Sequence, residues 1–157
     1  MESYNRRDVA YSEESGGFTG FMIRVPCVAI IVENDQQEIL LLLREDKPEI
    51  ACPNHWTLVG GRVEEGETPE MAAHREMLEE IGVDAELVFW KRYDRVHPRA
   101  VVDQYVYLCK LNVAVESLIL GEGQDFRFFH PHETKDLKIG FEFDIVLQDY
   151  FQDHLAN

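Results

Sequence analysis

The sequence predicts an α/β domain, an α/β/α sandwich in which a mixed sheet lies between helices. Three observations carry this. Short apolar runs punctuated by Gly, Pro, Asn and Asp recur along the chain. A single capped helix interrupts them near the middle, and an amphipathic helix closes the chain. At 157 residues the chain is one domain by size, able to bury roughly two thirds of its extended-chain surface.

Residues 1–20 are polar and end in Gly16, Gly17 and Gly20, which predicts a flexible or loosely docked arm ahead of one domain over 21–157. Phe21 to Val32 is a long apolar run and a predicted strand. Its Pro26 would mark an edge, a strand start or a bulge. Glu33 to Gln36 is a turn signal, and Glu38 to Arg44 reads as the second strand of a hairpin. Glu45 to His55 is a loop holding Pro48 and Pro53. Trp56 to Val59 is a short strand feeding a turn at Gly60-Gly61, with Trp56 a core aromatic.

The middle helix is the most informative element. Thr68 is placed as N-cap, Pro69 as N1 and Gly82 as the residue that ends it. At 3.6 residues per turn Glu76, Glu79 and Glu80 share one face. Ala73, Met77, Leu78 and Ile81 fall on the other and can pack on a core, while Ala72 sits among the glutamates. Like charges at this spacing repel by about 0.2–0.5 kcal/mol per pair. Arg75, four residues before Glu79, offsets part of that. Taken alone, the face is either solvated surface or the ligand set of a hard divalent cation.

Beyond the helix, Ala85 to Arg95 and Ala100 to Leu111 read as strands. Neither parity of the second is cleanly polar, so it should be covered on both faces. Between them Arg95, His97 and Arg99 form the best basic cluster in an acidic molecule, either a phosphate contact or a surface hairpin. Glu116 to Asp125 is loop, Phe126 to Phe129 a strand, and Gly140 to Leu155 the closing helix, with Phe143, Val146, Leu147, Tyr150 and Phe151 inward.

The net charge of −15, from 15 basic and 30 acidic residues, argues against non-specific nucleic-acid binding, since no positive field gathers phosphates. A small polyanion would need metal ions and local arginines. Cys27, Cys52 and Cys109 form neither a disulfide framework nor a zinc motif, which favours a reduced, cytoplasmic setting. No apolar targeting segment or membrane-length run is present in the sequence.

The stretch Gly61 to Val83 resembles the signature of the Nudix hydrolase family. That signature is matched at Gly61, Glu67, Arg75-Glu76, Met77, Glu79-Glu80, Gly82 and Val83. The resemblance implies a Nudix-type α/β/α sandwich whose site lies on the loop and helix after the glycines. It implies Mg²⁺, with Mn²⁺ as the alternative, held by Glu67, Glu76, Glu79, Glu80, the Gly60 carbonyl and a later acidic residue. Glu122 is the candidate for that residue, with Glu116 behind it. Glu79, Glu80, Glu76 and Arg75 are the expected catalytic group, and Arg75 is expected to orient the carboxylates. Arg44, Arg95, His97 and Arg99 are the expected contacts to substrate phosphates. Family members commonly have proline where this chain has Val59. The implied activity is cleavage of a phosphoanhydride in a nucleoside diphosphate linked to another group. A nucleoside triphosphate pyrophosphohydrolase leads; an ADP-ribose or nucleotide-sugar hydrolase and a non-catalytic nucleotide sensor are the alternatives. The partner is then a small nucleotide, with no nucleic acid and no membrane. Residues 1–20 or the loop at 45–55 could reach a neighbour in a homodimer.

Overall fold

The computed structural model describes residues 9–10, 21–98 and 100–155. The predicted arm therefore lies outside the described residues except for Val9–Ala10 (β1), which pairs antiparallel with Phe21 and Met22. The remaining order is β2 (Phe21–Glu33), β3 (Ile39–Leu43), β4 (Trp56–Thr57), β5 (Val59–Arg62), α1 (Pro69–Ile81), β6 (Val88–His97), β7 (Ala100–Lys110), β8 (Asp125–Phe129) and α2 (Phe143–Leu155).

The long strand β2 is the spine of a mixed sheet with the path β4-β3-β2-β7-β6. On one side it runs parallel to β7 from Ile23 opposite Ala100 to Glu33 opposite Lys110. On the other it pairs antiparallel with β5 and, at Glu33 opposite Ile39, with β3. β8 adds to β3, and β6 forms a hairpin with β7. Alternate residues of β2 feed two cores. Val28, Ile30 and Val32 pack with Ala72, Ala73, Met77 and Ile81 of α1. Ala29 and Ile31 pack with Phe143, Val146, Leu147 and Tyr150 of α2. A sheet covered on both faces has no polar parity, which accounts for the unbroken apolar runs. β7 behaves likewise, with Tyr107 and Cys109 towards α1 and Val106 towards α2.

Four local expectations change. Pro26 lies inside β2, opposite Asp103, at neither an edge nor a strand start. Its carbonyl accepts from Val63 N at 2.9 Å, just beyond the last β5 pair at Cys27 and Arg62. The missing N–H thus falls on the side where the β5 ladder runs out. Gly60 and Gly61 are not a turn but lie in β5, opposite Ala29 and Val28. A Cβ on Gly60 would sit 2.1 Å from the Val28 carbonyl oxygen, so the glycine is needed for close strand approach. The turn comes later, where Glu67 N donates to Glu64 O and Gly66 takes φ 84°. Finally, α2 starts at Phe143 because Phe141 and Glu142 both have φ 58°, and β6 starts at Val88.

α1 is capped as the sequence predicts. Thr68 Oγ1 accepts from Met71 N, and Gly82, at φ 71°, donates to Leu78 O. Its buried face differs in one exchange: Ala72 is buried in the core, whereas Leu78 is 53% exposed.

Candidate active site

The buried face of α1 includes Glu76, which is 8% exposed. Burial in apolar surroundings pushes its carboxyl up, against the pull of Arg75. Gly61 makes room for it, since a Cβ there would lie 2.3 Å from Glu76 Oε1. One turn on, Glu80 Oε2 accepts from Gly60 N at 3.2 Å, so β5 and α1 are tied at the site itself. Burial first, then the charge of Glu76, pushes Glu80 up to about 8, although the Gly60 N–H opposes the shift.

Arg75 is the hub of the acidic group. Its Nε donates to Glu67 Oε1 at 2.7 Å and its Nη2 to Glu67 Oε2 at 3.0 Å. Nη1 donates to Glu76 Oε1 at 2.9 Å and Glu79 Oε2 at 3.1 Å, and Nη2 also reaches the Arg62 carbonyl at 2.9 Å. The fork holds Glu67 well below the usual carboxylate range, and Glu67 Oε2 additionally accepts from Glu64 N. Glu79 is exposed, at the outer rim.

A cleft of about 250 Å³ opens beside Glu80. Arg44, Glu45, Ile50, Thr57, Glu80 and Glu122 line it. Arg44 is fixed there by Nε donating to Ala51 O at 2.8 Å, with its guanidinium 5.0 Å from the Phe141 ring centre. Glu122 is carried by a strap across the end of α1. Ile119 N donates to Ile81 O and Gly121 N to Glu80 O, and Gln124 N then reaches Leu43 O. A Cβ on Gly121 would fall 1.9 Å from the Glu79 carbonyl oxygen. Gly121 and Gln124 escape sequence reasoning as site residues; within the predicted Glu116 to Asp125 loop, the two glycines of Leu120 to Gln124 are the signal for them.

The expected basic cluster does not gather at this cleft. Arg95 turns into the sheet, donating to the Phe141 carbonyl at 2.9 Å and Gln104 Oε1 at 3.0 Å. His97 is exposed at the tip of β6, and Arg99 lies outside the described residues. Glu116 is exposed on the short 3₁₀ turn Val115–Ser117 and does not line the cleft.

Among the described residues no three acidic, His or Cys side chains close as a ready-made metal cage. The donor set still fits a hard cation. It is all oxygen, burial and then neighbouring carboxylates raise Glu76 and Glu80, and Mg²⁺ usually takes only one or two carboxylates and completes its shell with substrate phosphates and water.

A sheet between two helices, with a glycine-bearing strand locked to an arginine-organised acidic helix, defines an α/β/α sandwich that carries its acidic site on the first helix. The chain belongs to the Nudix hydrolase family: a match to the NUDIX domain spans residues 23–149. It is 30% identical over 119 residues to an uncharacterized Nudix hydrolase of Listeria innocua, covering 74% of this chain and 69% of that one. It is 50% identical over 58 residues to a putative 8-oxo-dGTP diphosphatase of Bacillus subtilis, covering 37% of this chain and 35% of that protein. In that second match the chain spans about a third of its relative's length. Among solved structures, a MutT protein from Methanosarcina mazei superposes with a TM-score of 0.72 at 17% identity, over 83% of this chain and 94% of that one, a likeness of fold. No helix among the described residues is long and apolar enough to cross a membrane.

Proposed function

We propose that the protein is a divalent-cation-dependent pyrophosphohydrolase of a nucleoside triphosphate, releasing the monophosphate and pyrophosphate. The observation that supports this best is the pairing of Glu80 with Arg44 across one cleft. It sets a carboxyl that needs a cation beside a cation that needs an anion. The relative named a putative 8-oxo-dGTP diphosphatase supports the triphosphate subtype.

Glu76 and Glu80 would hold Mg²⁺ or Mn²⁺, with Glu79, Glu122 and the Gly60 carbonyl as further oxygen donors. The ion supplies neutralisation of phosphate charge and acidification of bound water. The chain's own residues do the rest. Arg44 orients the triphosphate from the far wall. Arg75 fixes the rotamers of Glu76 and Glu79, and Glu67 is the clamp that fixes Arg75. Glu80, raised to about 8, would have to be deprotonated to serve as an oxygen donor to the ion. Glu79, exposed at the rim, would take the proton from water.

The test is a product-resolved ³¹P NMR assay with Mg²⁺ or Mn²⁺ on nucleoside triphosphates, dinucleoside polyphosphates, ADP-ribose and nucleotide sugars. Monophosphate plus pyrophosphate from a triphosphate is the expected outcome, lost in Glu80→Gln. Turnover confined to ADP-ribose or a nucleotide sugar would move the assignment to that class. Turnover of nothing in the panel would leave a nucleotide-sensing domain.

A further inference from the structure

The cleft beside Glu80 has two walls that come from distant parts of the chain. Leu43, Arg44, Glu45 and Ile50 form one, at the end of β3 and in the loop that follows it. Glu122 and Gly123 form the other, on the strap across α1. The loop runs from Arg44 to His55 without a helix or strand, and most of its hydrogen bonds are its own. Arg44 N donates to His55 O at 2.9 Å, Asn54 N to Glu45 O at 3.1 Å, and Arg44 Nε to Ala51 O at 2.8 Å. Loops of this length with no secondary structure are usually either functional or disordered. What ties this one to the rest of the fold therefore matters.

Gln124 supplies the tie. Its backbone N donates to Leu43 O at 2.8 Å. Its side-chain Nε2 donates to Arg44 O at 2.8 Å and to Asn54 Oδ1 at 3.0 Å. Among the described residues, no other side chain beyond the loop hydrogen-bonds to it. Chemistry fixes the direction of these bonds. A backbone carbonyl only accepts, so the amide must turn its NH₂ to Arg44, and Asn54 must answer the second N–H with oxygen. One primary amide thus joins the two ends of the loop. Gly123, at φ 91°, lets the strap come close, since a Cβ there would fall 2.5 Å from Leu43 O. The two walls of the cleft are set against each other at Gln124.

We propose that Gln124 is a positioning residue for the substrate, fixing the loop so that Arg44 faces the triphosphate across from Glu80. This rests on the triphosphate reading above, in which Arg44 meets the phosphates, and adds the residue that holds Arg44 in place. The Ala51 carbonyl that anchors Arg44 Nε lies inside the loop, so it aims the guanidinium only while the loop keeps its shape. A loosened arginine must be ordered during binding, and that cost appears in substrate affinity before it appears in the chemical step. Gln124 is exposed, so truncating it removes the tie without opening the core.

The experiment is a double-mutant cycle between Gln124→Ala and Arg44→Ala, read in two ways. Calorimetry in Mg²⁺ gives Kd for the α,β-methylene analogues of ATP, GTP, CTP and UTP, whose Pα–Pβ link resists hydrolysis. Steady-state kinetics give KM and kcat for the parent triphosphates. Gln124→Ala should raise Kd and KM about tenfold while kcat falls less than threefold. In the Arg44→Ala background the same substitution should raise Kd less than twofold. Asn54→Gly suits φ 57° and deletes the other partner of the amide, so it should also weaken binding and add nothing to Gln124→Ala. An unchanged Kd in Gln124→Ala overturns the proposal. So does an equal loss in both backgrounds, or a fall in kcat alone. If no parent triphosphate is turned over while the analogues bind with the expected pattern, the hydrolysis reading fails and the positioning role stands. If no analogue binds wild type, Arg44 is not a phosphate contact and the proposal falls, whatever the turnover.

Discussion

Arg75 and Glu67 are joined by two parallel hydrogen bonds, Nε to Oε1 at 2.7 Å and Nη2 to Oε2 at 3.0 Å. Lysine cannot reproduce a planar fork that also reaches Glu76, Glu79 and the Arg62 carbonyl. Arg75→Lys should therefore lower metal-dependent turnover by about 10–100-fold, the usual cost of losing a group that orients ligands. Glu67 also carries an acid signature. Its folded-state pKa is depressed, so its stabilising contribution is present above the ordinary carboxylate value of about 4.3 and is lost as pH falls. Urea midpoints of Glu67→Gln and wild type should converge below pH 4. Turnover of Arg75→Lys within threefold of wild type would remove Arg75 from the site.

Glu80 has the opposite sign. Without a cation its folded-state pKa is about 8, whereas the unfolded chain releases the proton near 4.3. The native state then binds the extra proton, and its stability falls as pH rises between those values. Thermal midpoints in chelator should decline from pH 5 to pH 8, and Glu80→Gln should flatten that slope. Glu76, also raised, contributes in the same direction. If Glu76 and Glu80 hold Mg²⁺ as proposed, the ion must displace these protons, so its affinity should climb with pH up to about 8 and level off above it. Calorimetric titration in buffers of different ionisation enthalpy would detect the released proton; a pH-independent affinity without proton release contradicts the ligand assignment.

Local signals survived into the structure where they act through the neighbouring backbone. Thr68, Pro69 and Gly82 cap α1 as read, because a cap depends on residues within one turn. Signals that depend on a distant partner did not survive intact. Gly60 and Gly61 look like a turn in isolation. They are strand residues because Val28 and Glu76, far away in the chain, demand space beside them. Arg95 reads as a phosphate contact or part of a surface hairpin, yet Gln104 and the Phe141 carbonyl draw it inward. The carboxylates were legible because the signature that carries them is contiguous. Glu122 needed the strap formed by Ile119, Gly121 and Gln124 before its place beside the cleft was defined.

The packing of α1 gives a contrast between adjacent residues. Met77 is fully buried against the sheet, so Met77→Ala should cost about 2–5 kcal/mol. Leu78, 53% exposed, should accept Lys within about 0.5 kcal/mol. The helical periodicity predicts both on the core. Chemical denaturation of the two variants separates the arrangements, since similar large losses would return Leu78 to the interior.

The two glycines of β5 should respond differently to the same added methyl group. On Gly60 it would meet the Val28 carbonyl oxygen at 2.1 Å and Ala29 Cα at 2.9 Å, both backbone atoms of the central strand that cannot step aside. Gly60→Ala should cost about 3 kcal/mol or more, as strand separation or local unpairing. On Gly61 the methyl would meet Glu76 Oε1 at 2.3 Å and its Cδ at 2.7 Å, the far end of a side chain that can rotate. Gly61→Ala should lose about 1 kcal/mol or less of stability. Moving Glu76, however, breaks its bond to Arg75 and withdraws a carboxylate from the proposed cation site, so turnover should drop by about 10–100-fold. Urea midpoints paired with kcat at saturating Mg²⁺ read both quantities. A Gly61→Ala protein with wild-type turnover would show that the Glu76 rotamer held by Arg75 is not the working one.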